Sequence, residues 1–121
     1  MCFLMGTWNW GPFDNEVATE TVQQLADGTF RMDQFRFDCE TTQLDSEQGQ
    51  ALVVLAAVMN GFVPDQRFES ARAYKFAFKD RRWVESKVKE VIQPRGSELY
   101  EMWADAGELQ QWLDATARVV R

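Results

Sequence analysis

Histidine is absent from the 121 residues, and cysteine occurs only at Cys2 and Cys39. The first absence removes the side chain that most often acts as the base beside a nucleophilic Ser or Cys. It also means that any metal site would be built from carboxylates alone. The acidic runs Asp38-Cys39-Glu40 and Asp45-Ser46-Glu47 lack the ligand spacing of a calcium loop. Two cysteines so far apart in sequence build neither a disulfide scaffold nor a zinc knuckle. Glycine is sparse: Gly6, Gly11 and Gly28 stand alone and match no phosphate-cradling fingerprint. No apolar run reaches membrane-spanning length, and no basic region precedes the apolar residues at the N-terminus, which reads against a signal peptide. The expectation is a cytoplasmic protein with no metal, no cofactor, no catalytic residues and no membrane partner.

What is present is a core. An apolar content of 45% with 13% aromatics excludes disorder, and 121 residues predict one domain over 1–121. The net charge of −6 favours solubility and opposes bulk phosphate binding. That charge is unevenly spread. Residues 1–60 carry a net −7, residues 61–121 a net +1, and the stretch 65–95 a net +4.

The chain is organised around 45–61. Nine apolar residues run unbroken from Ala51 to Met59. Asp45 with Gln48 forms a capping box ahead of them, and Asn60-Gly61 supplies a left-handed stop with Pro64 beyond. The spacing predicts one helix of about fifteen residues, roughly 22 Å long at 1.5 Å per residue. Leu52, Leu55, Met59 and Phe62 make one stripe, with Val54 and Val58 off it. A helix apolar nearly all round must be covered on more than one side.

Around it the pattern suggests strands. In 16–26, Ala18, Val22, Leu25 and Ala26 fit helical spacing, but Val17, Thr19 and Thr21 with the Asp27-Gly28 turn favour a hairpin of 16–26 with 29–39. Phe30 and Met32 alternate on one parity and Phe35, Phe37 and Cys39 on the other, which predicts a bulge near Asp33-Gln34. Tyr74, Phe76 and Phe78 alternate with polar residues, Asp80-Arg81 reads as a turn, and 82–92 fits a strand slightly better than a helix. Pro94 to Ser97 is a turn cluster, and 99–104 reads as a strand. Asp105 with Glu108 predicts a second capping box and a last helix over 106–119, burying Leu109, Trp112, Leu113 and Thr116. The expected fold is α+β, an antiparallel sheet of five to six strands with two helices packed on one face. If the last helix leaves one side of the central helix bare, a homodimer would cover it.

Chemistry is sparse in this pattern. Cys39 near Arg36 has one feature of a lowered-pKa thiol, but its place in an apolar alternation makes it a buried structural cysteine. Glu101 with Asp105, or Glu85 with Glu101 across a hairpin, would serve acid–base work only if space brought them together.

The reading that fits best is a non-enzymatic protein-binding module, of the inhibitor, immunity, antitoxin or phage-encoded antagonist kind. Its partner is another protein with a basic surface. Asp14, Glu16, Glu20 and Asp33 would steer that partner, and Trp8, Trp10 and Phe13 would anchor it. The alternative is single-stranded nucleic acid on the basic and aromatic stretch 74–89, through Lys75, Lys79, Arg81, Arg82, Lys87 and Lys89. A third reading is a small-ligand-binding domain or small enzyme with a pocket between sheet and helices.

Overall fold

The computed structural model describes residues 11–40 and 43–120. Its centre is α3 (Ser46–Met59), and the capping signals read from the sequence are in place. The Asp45 carboxylate accepts from the Gln48 backbone N–H at 2.7 Å, and the Gln48 amide oxygen accepts from the Asp45 N–H at 3.0 Å. Gly61 closes the helix at φ +89°, where a side chain would be strained. Every residue from Gly49 to Val58 is buried. Burying its five large apolar side chains, Leu52, Val53, Val54, Leu55 and Val58, is worth about 8–15 kcal/mol gross at roughly 1.5–3 each, and Met59, expected with them, is half-buried.

The cover is helical throughout. Among the described residues there is no strand, and the expected antiparallel sheet does not exist. Around α3 stand α1 (Glu16–Asp27), α4 (Phe78–Val91) and α5 (Glu98–Asp105), with the 3-10 segment Gln66–Ala73 against α1 and the edge of α3. Two further helices complete the set: α2 (Met32–Asp38), joined to α4 by side chains, and α6 (Leu109–Ala117), packed on α5. The closest approach is at Gly49, where an added Cβ would stand 3.2 Å from Leu99 of α5 and 3.6 Å from Val91 of α4. One isolated parallel bridge, Leu44 to Ser97, ties the start of α3 to the start of α5.

Each strand assignment fails for a local reason. In 16–26, Asn15 caps the chain by accepting from Ala18 N–H at 2.7 Å. Ala18, Val22 and Leu25 are then buried at i, i+4 and i+7. Gly28, at φ +74°, ends this helix rather than turning a hairpin. In 29–39, the apparent parity switch is a helical period. Met32 and Cys39 are buried and Phe35 half-buried, at i, i+7 and i+3, while Phe37 points out. The segment 74–77 is extended yet pairs with no strand; its Tyr74 hydroxyl donates to the Phe30 carbonyl at 3.1 Å, and the Tyr74 and Phe76 rings meet at 4.9 Å. Asp80 and Arg81 lie in the first turn of α4, which buries Val84, Val88 and Val91 on its 3.6-residue period. Leu99 to Ala104 belongs to α5, capped by the Ser97 hydroxyl accepting from Tyr100 N–H at 3.1 Å.

The final helix begins at Leu109, not 106, and ends at Ala117. Asp105 instead completes α5, Gly107 at φ +76° makes the corner, and Glu108 gives no side-chain cap. Trp112 and Thr116 are buried as expected, and Leu109 and Leu113 are half-buried. Since α3 is covered on all sides, it has no bare face for a second copy to fill. No described helix is long and apolar enough to cross a membrane.

Candidate functional site

Two surfaces carry the residues that the sequence singles out. The first is the outer face of α1. Glu16, Glu20, Gln23 and Asp27 follow at i, i+4, i+7 and i+11, all exposed, opposite the buried Ala18, Val22 and Leu25. The Gln23 amide donates to Asp27 Oδ1 at 2.9 Å, and none of the three acids makes an ion pair among the described residues. Phe13 lies half-buried against the core just before this helix, and the half-buried Asp14 accepts from the Gly11 N–H at 3.1 Å. Trp8 and Trp10 lie outside the described residues. Asp27 was missing from the expected acidic set because the strand reading placed it in a turn.

The second surface is the junction of α2 and α4. Arg36 Nη1 sits 2.8 Å from Asp80 Oδ1, and its guanidinium lies 5.4 Å over the Trp83 ring. Trp83 meets Phe35 edge-on at 5.9 Å. Outside this seam lies a shallow groove of about 380 Å³ lined by Asp33, Arg36, Phe37, Glu40, Lys79 and Asp80. Asp33 therefore does not join Glu16 and Glu20; it belongs to this groove, 3.7 Å from Arg31. Phe37 at 69% and Phe78 at 74% are the most exposed large apolar side chains among the described residues. Neither exposure was expected, since a strand parity points both rings inward. In Phe37 the signal was legible: it falls out of step with the helical series Met32, Phe35, Cys39.

The basic set divides in the same way. Lys79, Arg82 and Lys89 are exposed on the outer side of α4, with the Arg82 guanidinium 5.8 Å over Phe78. Lys75 is exposed in the extended segment before the helix, Arg81 is half-buried, and Lys87 is half-buried and paired with Glu90 at 3.3 Å. The expected inward facing of the aromatics holds for Tyr74, Phe76 and Trp83 but not for Phe78.

Reactive groups are few among the described residues. Burial pushes the Cys39 thiol up to about 12, so it is no thiolate at neutral pH, and Arg36 spends its charge on Asp80. Glu101 accepts from Arg95 N–H at 3.0 Å, and the hairpin that would have set it opposite Glu85 is not there. No group of three metal-ligating side chains converges among the described residues.

A family model, Domain of unknown function (DUF4259), matches residues 6–115. The chain belongs to this family. No curated protein and no solved structure matches it. The match spans both surfaces of this DUF4259 domain, from the α1 stripe to the α2–α4 junction, and carries no activity with it.

Proposed function

We propose that this DUF4259 domain is a non-enzymatic protein-binding module of the inhibitor, immunity or antagonist kind, whose partner presents a basic surface to α1. The observation that carries this reading is the exposed stripe Glu16, Glu20 and Asp27, which makes no ion pair among the described residues. Eleven residue steps along α1 spread the three charges over about 16 Å at 1.5 Å per residue. Like charges one turn apart, as Glu16 and Glu20 are, cost an isolated helix about 0.2–0.5 kcal/mol. The dipole of α1 favours Glu16 in its first turn but opposes Asp27 in its last, and acids so arranged speed association and exclude wrong partners. Phe13 supplies apolar contact at one end. The lack of histidine and the protonated Cys39 support contact rather than transformation. A free, buried Cys39 also fits a cytoplasmic setting.

A test is to measure association with the purified products of neighbouring genes over a range of salt. Charge reversal of the stripe, Glu16→Lys with Glu20→Lys and Asp27→Lys, is expected to slow association at least about tenfold and leave dissociation nearly unchanged. An association rate indifferent both to salt and to this variant would sink the reading.

One observation favours a second reading, single-stranded nucleic acid on α4. The Arg82–Phe78 stack stands in the open between Lys79 and Lys89, and bases stack on such platforms. It predicts a mobility shift with an oligonucleotide at low salt that Arg81→Glu with Arg82→Glu abolishes; no shift would end it.

A further inference from the structure

We propose that the α2–α4 face is a self-association surface whose occupant is a second copy of this chain, set about a two-fold axis so that α2 of each copy meets α4 of the other. The face has two halves of opposite sign, each with an exposed aromatic ring. The α2 half offers Asp33, Phe37 and Glu40; the α4 half offers Phe78, Lys79 and Arg82. The halves adjoin, since Asp33, Phe37 and Glu40 line one groove together with Lys79.

Their charges are free to be used. Glu40, Lys79 and Arg82 make no ion pair among the described residues. The Asp33–Arg31 pair is 3.7 Å long with both side chains largely exposed, an interaction worth little in water and readily exchanged. The Arg36–Asp80 pair at 2.8 Å stays within one copy and fixes α2 to α4, so both halves are presented on a rigid frame.

A partner for this face must bring acid beside an aromatic to α4 and base beside an aromatic to α2. The chain carries both, side by side, which is the self-complementarity a two-fold interface demands. Phe37, Phe78 and Arg82 are of the residue types enriched in interfaces. A nucleic acid would use only the α4 half and would meet Asp33 and Glu40 next to it. This surface is separate from the α1 stripe, so the two readings stand or fall independently.

The test is sedimentation velocity on the full chain over a range of concentration, at low salt and at about 1 M, where charges are screened within about 3 Å. A dimer is expected that weakens as salt rises. One variant carries Asp33→Lys and Glu40→Lys, the other Lys79→Glu and Arg82→Glu. Each alone is expected to weaken the dimer at least about tenfold, and an equal mixture to recover it, because each then meets its opposite. Phe37→Ser with Phe78→Ser should give a monomer whose circular dichroism is unchanged, and reversal of the α1 stripe should leave the dimer intact. A wild-type chain that stays monomeric at every concentration overturns the proposal. So does a mixture that fails to associate, or an oligonucleotide that binds the monomer through Lys79 and Arg82.

Discussion

At the scale of single residues, backbone geometry and ionisation make the sharpest demands. Gly96 sits where the chain turns back under the end of α4, donating to the Gln93 carbonyl at 2.9 Å. A Cβ there would land inside the van der Waals envelope of the Glu90 carbonyl oxygen. Gly96→Ala is therefore expected to cost about 2–4 kcal/mol in urea unfolding, the range for a substitution that forces backbone to shift. Gly28→Ala meets no atom within 4 Å, and its cost is confined to the left-handed φ of +74°.

Cys39 makes a pH prediction of definite sign. Its thiol ionises near 9.0 when unfolded and is held up to about 12 in the fold by burial. Above pH 9 the unfolded chain sheds a proton that the folded chain keeps, so stability is intact below about 9 and falls as pH rises toward 12. Tyr74 is shifted upward as well, by burial first and by Asp80 and Asp33 next, and contributes with the same sign. Unfolding measured across this range should show a shallower decline for Cys39→Ala than for the wild-type chain. An identical slope would assign the decline to other groups.

At the scale of elements, α4 separates helix from strand experimentally. Val84, Ser86 and Val88 would share a face in a strand, whereas in the helix Val84 and Val88 are buried and Ser86 faces water. Ser86→Glu is expected to change stability by no more than about 0.5 kcal/mol, the range for exposed sites. Val88→Glu places an unpaired carboxylate in the core and is expected to unfold the domain or to cost more than about 3 kcal/mol. Thermal unfolding of the two variants checks both. The same ambiguity ran through 16–26, whereas 29–39 and 99–104 read as strands outright and carry helices instead. β-Branched residues such as Val17, Thr19 and Thr21 favour strands only weakly. What outweighed them in α1 was the Asn15 cap together with the burial of Ala18, Val22 and Leu25.

At the scale of the molecule, α3 is the shared partner of α1, α4 and α5, so its side chains hold several contacts at once. Leu55 is fully buried, and Leu55→Ala is expected to lower stability by about 2–5 kcal/mol, the cost of lost transfer energy plus a cavity. The loss should register in one cooperative transition followed by circular dichroism. Arg36 and Asp80 join α2 to α4 at the outer edge of the Phe35–Trp83 contact, and they decide which residues share an outer surface. That is why Asp33 parts company with Glu16 and Glu20, and why Phe37 and Lys79 line one groove.

Residue order alone specified α3: its capping box, its glycine stop, its burial and the need to cover it on more than one side are local signals that neighbours do not alter. It also specified the buried stripe of the last helix at Trp112 and Thr116. Tertiary structure decided the rest. Short amphipathic segments satisfy a period of two and a period of 3.6 almost equally over half a dozen residues. A sheet covers a cylinder on one face only, while helices can stand around it. The all-apolar surface of α3 therefore drew 16–27, 78–91 and 98–105 into helices, and the helical period then turned Phe37 and Phe78 out to water.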